Sequence, residues 1–307
     1  VAKLISPGIG TLRGKQIKAG NLSGSLILLN LAGAVALLLW ATRMVRTGVE
    51  AVFGARLRDT LGPMLKSPVL AARSGMFLAT LLQTATAAGL LVSGFASQQI
   101  ISVTTGIIAL LGADLGSAIA TRLLSFDLQY LIPALILIGT AAYMATENRG
   151  WRQAGRILVG IGLLLLSLRM IGQASEPLRE SSLLPVIVRT LSADASITFI
   201  VAAVTSWLFH SSVASVLLIA TLAAKSLIPV DLGLDLVLGA NFGGALIGAA
   251  LTRSGTPAQR AVPLGNLILR GVGSIAGAIY ISNVRVPLDW LGTDPALQII
   301  HGHIAFN

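Results

Sequence analysis

From Ser74 to Ala113 the chain carries no charged side chain. A run of that length leaves few folds open. The hydrocarbon core of a bilayer is ~30 Å thick and takes about 20 apolar residues as a helix. Inside it every backbone N–H and C=O must be bonded within the chain. Further apolar runs cover Ser25 to Thr42, Leu131 to Thr146, Ile157 to Leu168, Ala195 to Ala224, Leu236 to Thr252 and Gly271 to Val284. A closed β-barrel would show segments of roughly ten residues alternating between apolar and polar, and these runs do not alternate. The expected class is all-α, a polytopic helical membrane protein in a lipid bilayer. Only 11% of the 307 residues are charged, against about 25% in soluble domains. The 33 glycines suit helices whose backbones approach closely in lipid.

The net charge of +10 reads as basic loops. No basic cluster is interleaved with aromatic residues, so no nucleic-acid partner is expected. Cysteine is absent, and with it any thiol chemistry. Residues 1–25 form a polar segment carrying Lys3, Arg13, Lys15 and Lys18, without the compact apolar stretch of a signal peptide. Arg43, Arg46, Arg56, Arg58, Lys66 and Arg73 lie beyond the first helix, so basic residues flank it on both sides and the positive-inside rule gives no orientation. A start at Val1 and an end at Asn307 without a tail suggest a fragment of a longer protein.

The chain also repeats itself. LLQTATAAG at 81 to 89 aligns with LFHSSVASV at 208 to 216, and LGADLGSA at 111 to 118 aligns with LGANFGGA at 238 to 245. Both alignments share one offset, 127 residues, and Ala41 to Met44 echoes Ser167 to Met170 at nearly the same one. Two polar motifs in one register indicate duplication. The expected units are repeat 1 at 26–156 and repeat 2 at 157–307. Paired polar interruptions at corresponding positions of two halves point to the binding site of a secondary transporter, because polar groups persist at membrane depth where they line a cavity.

A straight helix over 69–97 would be ~43 Å long, so a fold-back at Gln83 to Thr86 is expected, giving one re-entrant hairpin at 69–97 and a second at 196–224. The second arm of such a hairpin offers free N–H groups to an anion. Thr84 and Thr86 can donate to that anion or turn their oxygens to a hard cation. The competing reading is that Gln83, Thr84 and Thr86 only bond neighbouring helices. Glycines around Asp114 and Asn241 permit an unwound turn and close approach. Asp114 is an ionisable residue in an apolar run and hence a functional candidate; the alternative is a helix-end carboxylate paired with Arg122. His210, His301 and His303 make no transition-metal constellation. No G-x-S-x-G, H-E-x-x-H or Walker sequence is present, so no enzyme activity is expected.

At these residues the sequence resembles the type II sodium–phosphate cotransporter family, especially its shorter bacterial members. That family carries Q-S-S-S followed by G-A-N-x-G-T-T in each of two inverted repeats. The counterparts are Gln83 to Thr86 with Gly112 to Ala118, and His210 to Val213 with Gly239 to Ala245. Phe53 to Arg58 and His303 to Asn307 resemble further family segments. The resemblance implies sodium-coupled symport of inorganic phosphate or a related anion by alternating access, with sodium ions as coupling ions and no other cofactor. It implies a multi-pass protein of the bacterial inner membrane, truncated before the phosphate-regulatory PhoU-like domain of many relatives, and leaves homo-oligomerisation open. The expected substrate-binding residues are Gln83, Thr84, Thr86, His210, Ser211 and Ser212. The expected sodium ligands are Thr84, Thr86, Asp114, Ser211, Ser215 and Asn241. Hydroxyls are fewer than in the family motif, which keeps a non-transporting membrane sensor or partner subunit as the alternative.

Overall fold

The computed structural model describes residues 24–64, 67–126, 128–284 and 288–307. The polar segment at 1–25 lies outside the described residues except for its last two, and so do the side chains of Phe53 to Arg58. The described residues form α-helices joined by short turns: α1 Gly24–Met64, α2 Pro68–Leu82, α3 Ala85–Ser97, α4 Val103–Leu124, α5 Ile132–Met144, α6 Arg149–Ser175, α7 Leu183–Ala193, α8 Ala195–Phe209, α9 Ser212–Ala224, α10 Val230–Leu251, α11 Pro257–Asn283 and α12 Pro295–Phe306. Among the described residues five stretches are long and apolar enough to cross a membrane: Gly24–Val52, Val103–Leu124, Arg149–Glu180, Val230–Leu251 and Pro257–Ile281. The α7–α8 pair is equally apolar but bent by 108°. The chain is a multi-pass, all-α integral membrane protein.

The helix breaks follow from local chemistry. Pro68 opens α2 at a position whose N–H has no helical acceptor. Gln83 closes α2 in the left-handed region (φ 56°), and the extended Thr84 starts α3. His210 closes α8 in the same way (φ 51°), and the Ser211 hydroxyl accepts from the Ala214 N–H to start α9. Asp194 caps α8 by accepting from the N–H groups of Ser196 and Ile197. Every bound of α2, α3 and α4 thus recurs 127 residues later in α8, α9 and α10. Even the left-handed residue after the second arm recurs, as Gln99 (φ 59°) and Ser226 (φ 55°).

The two G-A-[DN]-x-G elements are not unwound. Both lie inside continuous helices, α4 and α10. Their glycines serve close approach instead. A Cβ on Gly112 would stand 2.0 Å from the Ala72 carbonyl oxygen, and one on Gly116 2.1 Å from that of Met76. In the second half Gly239 and Gly243 meet the carbonyls of Phe199 and Ala203 at 2.4 and 2.2 Å. Each pair of contacts is the other shifted by the repeat offset, so α4 docks on α2 as α10 docks on α8. Helix backbones that pack this closely hold the side chain between the glycines, Asp114 or Asn241, at a fixed depth in the bundle.

The last long run extends further than its charges suggested. Arg260 and Arg270 interrupt the sequence, yet α11 continues from Pro257 to Asn283. One face of α11 carries Leu264, Ile268, Val272, Ile275 and Ile279, all exposed. The opposite face carries Asn266, Arg270 and Ser274 at spacings of four, 3%, 6% and 0% exposed. An apolar outer face with a polar inner face is how a helix sits in lipid while presenting polar groups to a bundle interior. The buried apolar residues gather around α2, α3 and α4, around α9, α10 and α12, and between α1, α6 and α9.

Candidate functional site

Arg270 of α11 meets the two repeat elements at one place, while Ser274 Oγ donates to the Leu238 carbonyl at 3.2 Å. Arg270 Nε donates to Asp114 Oδ2 at 2.6 Å, joining side chains each 7% exposed. Its Nη1 donates to Asn241 Oδ1 at 2.7 Å and to the Asn241 carbonyl at 3.1 Å. Its Nη2 donates to Asn307 Oδ1. Asp114 and Asn241 are the same position of the two repeats, so a single guanidinium fork ties the matched turns of α4 and α10 together. Arg suits this role because its donors are planar, fixed in direction and always charged.

Beyond the fork lies α12. His303 is fully buried, and its Nδ1 stands 3.1 Å from Asn241 Nδ2 and 3.0 Å from Asn307 Nδ2. Both neighbours are donors, so Nδ1 is the acceptor and the proton sits on Nε2. Asn241 Nδ2 also reaches the Val237 carbonyl at 3.0 Å. Asn266 lines the same cavity as Asp114.

A small cavity opens on this network. It is lined by Thr86 of α3, Ser212 of α9, Asp114 of α4, and Asn266 and Arg270 of α11, with Ala85, Gly244 and Gly248 among the small residues that shape it. Its volume is ≈ 20 Å³, close to the ~10–15 Å³ that one water requires. Ala85 and Ser212 are the first residues of α3 and α9 and occupy equivalent repeat positions. Two helix N-termini, with their unpaired N–H groups and positive dipole ends, therefore converge on one point.

Of the residues expected at a site, Thr86, Ser212 and Asp114 line the cavity, while Asn241 stands behind Arg270 and accepts from it. The others lie elsewhere. Thr84 is buried in the break, with no capping bond from its side chain. Gln83 is half-buried and its Oε1 has no partner. His210 is exposed, with Nδ1 3.2 Å from the Leu208 carbonyl. The Ser211 hydroxyl is engaged in its cap, and Ser215 Oγ donates to the Ser211 carbonyl at 3.1 Å. The pairing of Asp114 with Arg122 does not occur: Arg122 lies over the Phe126 ring at 4.4 Å, near the end of α4, while Asp114 sits two turns earlier against α11. Sequence reasoning missed Arg270, Asn266 and Asn307 as site residues. The available signal was the stripe Asn266, Arg270, Ser274, a polar line at helical spacing through an otherwise apolar segment. Among the described residues no group of three His, Asp or Glu side chains is placed to hold a metal.

The chain is similar to several known proteins. The profile of the Na+/Pi-cotransporter family matches residues 37–173. Over 282 residues the chain is 36% identical to a Salmonella typhimurium protein named "Putative inorganic phosphate export protein YjbB", and equally so to its Escherichia coli namesake; each match covers 92% of this chain and 52% of the relative. The chain thus spans about half the length of these relatives. The uncharacterized protein YqeW of Bacillus subtilis is 21% identical over 282 residues, 92% of either chain. No solved structure matches the chain. Long apolar helices, repeated polar motifs and these similarities agree: the chain is similar to the Na+/Pi-cotransporter family, whose profile covers residues 37–173.

Proposed function

We propose that the chain forms the core of a secondary transporter that carries inorganic phosphate, or a related oxyanion, together with Na+ by alternating access. The observation that carries this reading is the convergence of Thr86, Ser212 and Arg270 on one cavity. Hydroxyl donors, two helix N-termini and a guanidinium are the groups that bind an oxyanion. Phosphate and sodium come to the reading from the family and from the names of the relatives. In this proposal α2–α3 and α8–α9 are re-entrant hairpins. Helices of 15 and 13 residues reach ~20 Å each, short of the ~30 Å core, so their tips meet near the middle of the membrane. The two halves are inverted repeats that expose the shared cavity to one side and then the other. The cavity is too small for phosphate as it stands, so the hairpin tips must part to admit it, and no covalent chemistry is involved.

The test is flux of labelled phosphate in proteoliposomes containing the 307-residue chain, in both directions, with a Na+ gradient or with choline in its place. Phosphate movement accelerated by Na+ is expected. Equal rates in Na+ and choline would remove sodium coupling. Binding of phosphate with no flux in either direction would replace the transporter with a sensor or partner subunit.

A further inference from the structure

We propose that Arg270 is a built-in counter-ion that the substrate displaces, and that its departure from Asp114 opens a Na+ site formed by Asp114, Asn266 and Thr86. This rests on the reading of the cavity as an oxyanion site and supplies the device by which anion and cation would be coupled.

In the structure the guanidinium holds Asp114 and Asn241 at once, so the carboxylate is neutralised and its Oδ2 is engaged. A carboxylate in that state is a poor ligand for Na+. An oxyanion entering between Thr86 and Ser212 meets the same guanidinium, because Arg270 lines the cavity. A phosphate oxygen competes with Asp114 for the Nε–H, and a planar fork cannot serve both in full. Once Arg270 turns to the anion, Asp114 is left buried and uncompensated at membrane depth, a costly arrangement. A small cation restores neutrality.

An independent observation marks where that cation goes. Asn266 is 3% exposed, lines the cavity, and its Oδ1 has no hydrogen-bond partner. The unpaired Oδ1 is a hard oxygen on a residue that lines the cavity together with Asp114 and Thr86. Oxygens of carboxylate, amide and hydroxyl type are the ligands a hard cation takes. The pair Asp114–Arg270 and the pair Na+–Asp114 with anion–Arg270 carry the same balance of charge, so anion and cation each favour the other's binding, reciprocally.

The experiment is equilibrium binding of labelled inorganic phosphate to the purified chain, with Na+ or choline at constant ionic strength. The wild type is expected to bind phosphate about tenfold more tightly in Na+. Asp114→Asn is expected to bind phosphate with less than about a twofold effect of Na+, because no carboxylate is released. Asn266→Leu is expected to weaken the Na+ effect on phosphate binding at least about fivefold. Retention of the full Na+ effect in Asp114→Asn overturns the proposal while the oxyanion site stands. Absence of phosphate binding in the wild type overturns the oxyanion site itself.

Discussion

Removing Arg270 and removing its partner should not be equally harmful, and removing both should be milder than their sum. Arg270→Met strips four hydrogen bonds from the interior: those to Asp114 Oδ2, to the side chain and backbone of Asn241, and to Asn307. It leaves Asp114, 5% exposed, without a counter-charge. Breaking a buried pair from one side costs about 3–5 kcal/mol, and this substitution belongs at the upper end because it also leaves Asn241 Oδ1 with the 3.4 Å bond from Asn307 Nδ2 alone. Asp114→Asn belongs at or below the lower end, since the amide oxygen still accepts from Nε and the guanidinium keeps Asn241. The double substitution Arg270→Met with Asp114→Asn removes both charges and should cost about 1–3 kcal/mol, the penalty of the remaining unpaired amides. The coupling in such a cycle is then ~2 kcal/mol or more in favour of the native pair. Unfolding in mixed micelles, followed by intrinsic tryptophan fluorescence, measures all four proteins. If the two single losses add within ~0.5 kcal/mol in the double variant, Arg270 and Asp114 do not act as a pair, and the account of the site fails.

Other outcomes follow from the same geometry. Gly112→Ala and Gly243→Ala place a Cβ 2.0 and 2.2 Å from a backbone carbonyl oxygen, so α4 or α10 must shift away, with a loss of about 1–3 kcal/mol. Gly94→Ala in α3 meets nothing within 4 Å and should raise stability by about 0.5–1 kcal/mol; thermal denaturation in detergent reads both. Thr86→Val and Ser212→Ala should each lower phosphate flux in proteoliposomes several-fold, whereas Ser102→Ala, which removes the exposed cap of α4, should leave transport per folded molecule unchanged; equal losses in all three would reduce the hydroxyls to packing. His210→Gly replaces an exposed residue held at φ 51° and should stabilise the chain by about 1 kcal/mol, seen as a higher midpoint in the same unfolding assay.

Much of the architecture was legible because it is local or periodic. Apolar runs announced the long helices, and the shared offset of two motifs anticipated that α8, α9 and α10 reproduce α2, α3 and α4. The breaks at Gln83 and His210 fell where polar residues interrupt the runs. Less legible was what the glycines do. A glycine permits both an unwound turn and a close contact, and only the position of Ala72 and Met76 opposite Gly112 and Gly116 shows that the contact is what matters. The hydroxyl motifs bring only some of their residues to the candidate cavity. Thr86 and Ser212 reach the cavity, while Ser211 and Ser215 satisfy backbone groups within their own helix end.

The sequence alone determined the solvent in which the chain folds, the twofold repetition of its helices and the pairing of Asp114 with Asn241 as equivalent positions, since these depend on composition and spacing along one dimension. Only the tertiary structure decided that Arg270 joins them. Its carboxylate partner lies 156 residues away, and no periodicity spans that distance. The choice between Arg122 on the same helix and Arg270 on another was made by helix packing. Glycine contacts hold Asp114 at its depth within α4, α11 turns its polar face inward because its other face is apolar, and a buried carboxylate at that depth requires the cation that this geometry brings to it.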